Sequence, residues 1–389
     1  MLAPTICRMK HTHMPRTIQG RMARALQKSL MVSAIVGAMM TIMKVAGVTV
    51  APIYIFGDSS MDVGTNNNLK ECTARADHPY YGVDLHSKPT GRFSNGYNTA
   101  DAIVQLLGGY ESSPPPFLTI VKRNETFKQN LLRGVNFASG GGGLFRETDQ
   151  AYYGRVISFE EQIQQFATVA KNITALLGTS KGDLLLQESM YIISIGSNDI
   201  VNYIFNRTMT PKQLIANLTD AYATHLQNLH SLGARKFGII SVAALGCAPI
   251  ARSIAFAGDC VDEPNEFAVA FYTSVQSLLK NLSSTLEGFK YSLGNAYNMS
   301  MNIINNPVVT IDSIAGFKDV KTACCGNTTK HPFILCEFGS PLCKYRDDYL
   351  FWDAVHPSQA GSEFAARILV YGDRSDFVTP INFSTLRRA

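Results

Sequence analysis

Charge is scarce in this sequence, and acid is missing altogether from its first 57 residues. Of 389 residues, 17% are charged and 46% hydrophobic, with a formal net charge of +5. The positive sign misleads. Seven basic residues (Arg8, Lys10, Arg16, Arg21, Arg24, Lys28 and Lys44) fall in the acid-free stretch, and removing them from +5 leaves −2 for the rest. A nucleic-acid surface is therefore not indicated. A mean hydropathy of +0.02 argues against a multispanning membrane protein, while the length is ample for a sizeable core. No internal repeat or interdomain linker is visible, and Pro114-Pro115-Pro116 is short enough to be a loop. No Cys-x-x-Cys pair accompanies suitably spaced histidines, so metal binding is not expected. The glycine run Gly140 to Gly143 is followed by Leu144-Phe145 instead of Lys-Ser or Lys-Thr, which argues against a phosphate loop. No cofactor is expected.

What is present points to the secretory pathway. The basic start is followed by an apolar run from Leu30 to Met43, then by mostly small residues up to Thr49-Val50-Ala51, an acceptable signal-peptidase site. Residues 1–51 thus read as a leader and 52–389 as a single domain. The alternatives are an organelle transit peptide, for which the long basic portion speaks, and a retained signal anchor, against which Lys44 interrupts the apolar run. Asn124, Asn172, Asn206, Asn217, Asn281, Asn298, Asn327 and Asn382 each stand in Asn-x-Ser/Thr without an intervening proline. About three would arise by chance from residue frequencies, so eight favour glycosylation in the secretory pathway. Apart from Cys7 in the leader there are seven cysteines, which suit disulfides in that compartment. Adjacent Cys324 and Cys325 should anchor to different partners, such as Cys336 and Cys343, while Cys247 and Cys260 bracket a plausible loop; Cys72 is left over.

Apolar runs at 53–56, 191–195 and 237–242, with weaker ones near 134–138 and 290–294, predict strands. Helical spacing predicts helices over 99–107, 159–173, 211–232 and 264–286, two of them ended by glycine. This alternation implies a parallel sheet of about five strands covered on both faces, a three-layer α/β/α sandwich.

Phe56-Gly57-Asp58-Ser59-Ser60 near the start of the domain and Asp353-Ala354-Val355-His356-Pro357 near its end together supply a serine, a histidine and an aspartate. Ser59 should emerge at the carboxyl end of a buried strand, where open α/β sheets place ligands. The Asp353-x-x-His356 spacing lets the carboxylate reach its own histidine, fix the tautomer and stabilise the imidazolium formed when a serine loses its proton. Between them lie Asn136-Phe137-Ala138-Ser139-Gly140-Gly141 and Gly196-Ser197-Asn198-Asp199, whose Gly140 amide and Asn198 side chain are candidate donors to a tetrahedral oxyanion. Gly178-Thr179-Ser180-Lys181-Gly182 matches a nucleophile elbow in letters only. It precedes a strand where the elbow must follow one, and reads as a helix-end loop.

The four blocks, in this order, resemble those of the GDSL esterase/lipase family within the SGNH hydrolases, the plant branch most of all. The resemblance extends through Asp62-Val63-Gly64-Thr65-Asn66-Asn67, Gly91-Arg92-Phe93-Ser94-Asn95-Gly96, Leu245-Gly246-Cys247-Ala248-Pro249 and Ala323-Cys324-Cys325-Gly326, nearly everything after residue 52. It implies a flavodoxin-like SGNH fold, Ser59 as nucleophile, His356 as base, Asp353 as its orienting acid, and Gly140, Asn198 and the Ser59 amide as oxyanion hole. Ser60 stands where the family's motif usually has Leu, and Asn295 where relatives often carry Asp, without an assigned role. The expected substrate is a lipid, acylated small molecule or polymer ester, with no nucleic-acid partner and no membrane span once the signal is removed. The competing readings are an extracellular acyltransferase sharing the acyl-enzyme, and a catalytically silent binding glycoprotein on the same fold.

Overall fold

The computed structural model describes residues 51–85, 87–122, 124–308, 316–326 and 336–389. The leader and its cleavage site therefore lie outside the described residues, as do Cys7 and Asn327. Five strands, β1 (Ile53–Gly57), β2 (Gly134–Asn136), β3 (Met190–Ser194), β4 (Lys236–Ile240) and β5 (Lys290–Gly294), run parallel in the order β2-β1-β3-β4-β5. The first connection steps one way from β1 and the later ones step the other way. The switch falls between β1 and β3, where doubly wound sheets open a crevice beyond their carboxyl ends.

Alternation along each strand explains why both faces are covered. Tyr54 and Phe56 of β1, Tyr191 and Ile193 of β3, and Phe237 and Ile239 of β4 enter one core; Ile53, Ile55, Met190, Ile192 and Ile240 enter the other. Eight of the helices matter for the argument: α1 (Thr99–Leu107), α2 (Phe159–Leu177), α3 (Thr179–Glu188), α4 (Ser197–Phe205), α5 (Pro211–Ser231), α6 (Asp262–Thr285), α7 (Ala296–Asn305) and α8 (Gln359–Tyr371). The first core is closed by α2, α4, α5 and α6, the second by α1, α7 and α8. On α2, Phe159, Ile163, Phe166, Val169, Ala170 and Ile173 recur at three- and four-residue spacing and are buried. Each large one stabilises the fold by about 1.5–3 kcal/mol relative to exposure.

The helix starts predicted at 99, 159 and 211 coincide with observed caps. Asn98 and Asp101 form a capping box, Ser158 accepts from the Glu161 N–H, and Thr210 pairs with Gln213 ahead of Pro211. Helix α2 runs four residues beyond its predicted end, to the Gly178 cap, and α6 begins two residues early. Ser180 lies in the exposed first turn of α3 instead of a loop, and the helix still precedes a strand. Asn295 caps α7, its side chain accepting from the Asn298 N–H at 3.1 Å. A small parallel pair of β6 (Asp319–Ala323) with β7 (Tyr349–Phe351), and a two-residue antiparallel edge strand β8 (Val378–Thr379) beside β5, complete the sheets.

Disulfides join Cys247 to Cys260, Cys324 to Cys343 and Cys325 to Cys336; the spacing alone leaves open which of the adjacent cysteines takes which partner, and Cys72 is free and buried. Among the described residues no helix is long and apolar enough to cross a membrane.

Candidate active site

The end of β1 is held from three sides. Gly57 has φ +152°, and a Cβ there would come within 2.4 Å of the Ser194 carbonyl, so only glycine lets β1 turn this close to β3. Gln162 of α2, fully buried, clamps the same residue: its Oε1 accepts the Gly57 N–H and its amide donates to the Gly57 carbonyl, both at 2.9 Å. The Asp58 N–H then donates to Ser194 at 3.2 Å. Ser59 follows, half-buried, and no acceptor among the described residues takes its N–H.

Across the crevice, the turn after β7 carries Asp353 and His356. His356 Nε2 lies 2.8 Å from Ser59 Oγ, and its Nδ1 lies 2.9 and 2.8 Å from the two Asp353 oxygens. Asp353 is fully buried, and its Oδ1 also accepts the backbone N–H groups of Val355 and His356 at 2.9 and 2.8 Å. Burial alone would push this carboxyl upward. The neighbouring His356 charge, its hydrogen bond and the two backbone donors outweigh that and hold it below the usual carboxylate range.

Two contacts here had no sequence signal. The Tyr81 hydroxyl donates to Asp353 Oδ2 at 2.7 Å, and the Phe93 ring lies 4.8 Å from the His356 ring, centroid to centroid. Tyr81, Phe93 and Trp352 belong to one buried cluster with Cys324, Cys325 and Cys336. The Cys325 N–H donates to the Trp352 carbonyl at 2.7 Å, so the disulfide-bonded segment is tied directly to the residue preceding Asp353.

The loops after β2 and β3 bring the other two blocks to the same end of the sheet. Asn198 sits in the first turn of α4. It does not cap that helix, whose N-cap is Gly196 with no side-chain bond; its amide donates to the Gly142 carbonyl at 3.0 Å instead. An amide carries two donors, so this bond fixes the group and leaves the second N–H free. The Gly140 N–H is directed at Asp62 Oδ2, at 2.9 Å. The Gly140 N–H, the expected oxyanion donor, thus has an acceptor of its own, a buried carboxylate that also takes the Gly64 and Thr65 N–H groups. Burial pushes Asp62 up to about 6 against those backbone donors. Gly140 is required for space: a Cβ would stand 2.8 Å from the Phe93 ring and 3.0 Å from the Asn66 amide. Asp199, buried beside Asn198, accepts from the Leu144 and Phe145 N–H groups and the Thr148 hydroxyl at 2.9, 3.1 and 2.6 Å, pinning the glycine loop to α4.

A serine hydroxyl on an imidazole whose far nitrogen meets a buried carboxylate is an arrangement that can deprotonate the hydroxyl as it attacks a carbonyl. Among the described residues no group of three or more His, Cys, Asp or Glu is placed to hold a metal ion. The pattern described as GDSL-like Lipase/Acylhydrolase matches residues 53–369. The chain belongs to this family, whose members are carboxylic ester hydrolases. A GDSL esterase/lipase of Arabidopsis thaliana is 37% identical over 80% of this chain and 86% of its own length. A second from the same plant is 36% identical over 86% and 87%. The order of the five parallel strands agrees with the SGNH fold expected from the blocks. As a GDSL enzyme the chain departs from the motif at Ser60, whose hydroxyl donates to Asp58 Oδ1 at 2.7 Å and lies 3.3 Å from the Ser194 hydroxyl.

Proposed function

We propose that this GDSL hydrolase is a secreted, N-glycosylated serine esterase or lipase that cleaves carboxylic esters through an acyl-enzyme on Ser59. The observation that carries the reading is the unbroken run from Ser59 Oγ through His356 to Asp353, closed between residues 297 positions apart. Ser59 attacks the ester carbonyl while its proton passes to His356 Nε2, and Asp353 stabilises the imidazolium. Collapse expels the alcohol, which takes the proton from Nε2. Water then gives a proton to the same nitrogen as it attacks the acyl-enzyme, and collapse releases the acid while Ser59 Oγ takes that proton back. The Ser59 N–H and the second Asn198 N–H hold the oxyanion, with Gly140 shaping the loop beside them.

That division of labour gives Asn198→Ala a specific signature. The rate should fall by about a hundred- to a thousandfold, because the donor acts mainly in the transition state, while KM barely changes. Turnover and thermal melting on the same preparations check it. A stable variant with near-normal turnover removes Asn198 from the site.

Secretion is supported by the leader and by three disulfides, a bond type that persists in oxidising compartments. Of the sequon asparagines, Asn206, Asn217 and Asn281 are exposed; Asn172 and Asn298 are half-buried, with amides donating to the Thr168 and Asp376 carbonyls. Asn382 is engaged as a helix cap and in a bond to Gly372, whereas the Asn124 side chain lies outside the described residues. Protein isolated from its native host should lack the basic leader, lose mass on enzymatic removal of N-glycans, and carry a fluorophosphonate adduct on the Ser59 peptide after labelling. An adduct absent from Ser59 refutes the nucleophile; an intact leader or an unchanged mass refutes secretion.

A further inference from the structure

Asp353 is a fully buried carboxylate with no Lys or Arg partner among the described residues, so its charge is held by His356 and by hydrogen-bond donors. Three of them, the Val355 N–H, the His356 N–H and His356 Nδ1, belong to its own tight turn. The fourth, the Tyr81 hydroxyl, reaches in from 272 residues away in sequence at 2.7 Å. It is the one of the four donors that reaches Asp353 from outside the turn. The Tyr81 ring is itself held edge-on by His78, Phe93 and Trp352, with centroids 5.1, 5.9 and 6.4 Å away, and Phe93 in turn covers the His356 ring.

We propose that Tyr81 is a positioning residue of the triad, which fixes the Asp353 carboxylate in the plane where it meets His356 Nδ1 and shares its negative charge. The inference rests on the reading of Ser59, His356 and Asp353 as the catalytic set. Both backbone donors are on Oδ1; Oδ2 has only the imidazole and Tyr81. Without the hydroxyl, Oδ2 keeps only the imidazole, the group it has to orient, and the carboxylate is held against rotation about the Cβ–Cγ bond by its own turn alone. A charge-assisted bond in a water-excluded site is among the stronger hydrogen bonds, and its loss here falls on the group that orients the base. Burial first, and then the Asp353 charge, push the Tyr81 phenol well above its ordinary range, so it remains a donor across the working pH of an esterase.

Tyr81→Phe keeps the ring and removes the donor. It should lower kcat by about 10- to 100-fold with KM within about twofold, the scale of one hydrogen bond to a charged group. The acid limb of the kcat/KM profile should move to higher pH, because a carboxylate with one donor fewer binds a proton, its own or its neighbour's, more tightly. In an Asp353→Asn background the same change should cost much less, since the two residues act as one unit. Unchanged kcat and pH profile, or an equal loss in both backgrounds, overturns the proposal. If Tyr81→Phe melts below the assay temperature, 3-fluorotyrosine at position 81 keeps the ring and strengthens the donor; the acid limb should then move to lower pH, and a limb that stays put overturns the proposal. Ser59→Ala in parallel separates the two levels. Turnover lost with Ser59→Ala and indifferent to Tyr81→Phe rejects Tyr81 alone, whereas turnover indifferent to Ser59→Ala rejects the triad and Tyr81 with it.

Discussion

Ser59→Ala should abolish ester turnover, on the order of a millionfold in kcat, while leaving the melting temperature where it was. Ser59 Oγ bonds only to His356 Nε2 among the described residues, so deleting it removes the nucleophile without opening a buried cavity. The turn that presents it is held by Gly57, Gln162 and Ser194, none of which touches the hydroxyl. Ser60 cannot take over. Its hydroxyl is engaged with Asp58 and faces Ser194, and it is not the group on His356. Ser180 stands exposed on α3, so Ser180→Ala should be silent. Steady-state turnover, melting and fluorophosphonate labelling of both variants check this together. A folded Ser59→Ala protein that still turns over ester and still takes the label would end the assignment.

The parts of this site legible beforehand are those with a local cause. The run Ile53-Tyr54-Ile55-Phe56 is apolar on both faces because β1 is central in a doubly covered sheet, and its end locates Ser59 without any knowledge of the strand order. The Asp353-x-x-His356 spacing closes within one turn, and the adjacent cysteines could not sensibly pair with each other. The helices over 99–107 and 211–231 announce themselves through caps as well as periodicity.

What escaped depends on partners far apart in sequence. Asp62 looked like part of a motif, but nothing local says that its second oxygen takes the Gly140 N–H 78 residues on. The same holds for Asp199, which pins a loop 54 and 55 residues earlier, and for Gln162, which reads as one more polar position on an amphipathic helix until its amide is seen to clamp Gly57. Edge strand β8 has two residues, too few for any period to show. Helix α8 escaped although Ser358 caps it and Phe364, Ile368 and Leu369 fill the core at helical spacing.

Asp353→Asn should lower kcat by about ten-thousandfold, a larger effect than removing the charge alone suggests. The reason lies in how the amide must seat itself. At Oδ1 it would face the Val355 and His356 N–H groups, backbone donors that cannot turn away, so the carbonyl oxygen takes that position and the NH2 falls at Oδ2. Two groups face the NH2 there: the Tyr81 hydroxyl at 2.7 Å, which can rotate and accept, and His356 Nδ1 at 2.8 Å, which can accept only by giving up its proton. The imidazole is then driven to the tautomer that carries hydrogen on Nε2, facing Ser59, where it can no longer receive the serine proton. The fold should survive, because every buried atom of the turn keeps a partner. Turnover, melting and the rate of fluorophosphonate labelling should separate accordingly: labelling slowed along with turnover, melting little changed. A folded variant within tenfold of the parent in both rates would mean that Asp353 does not set the tautomer of His356.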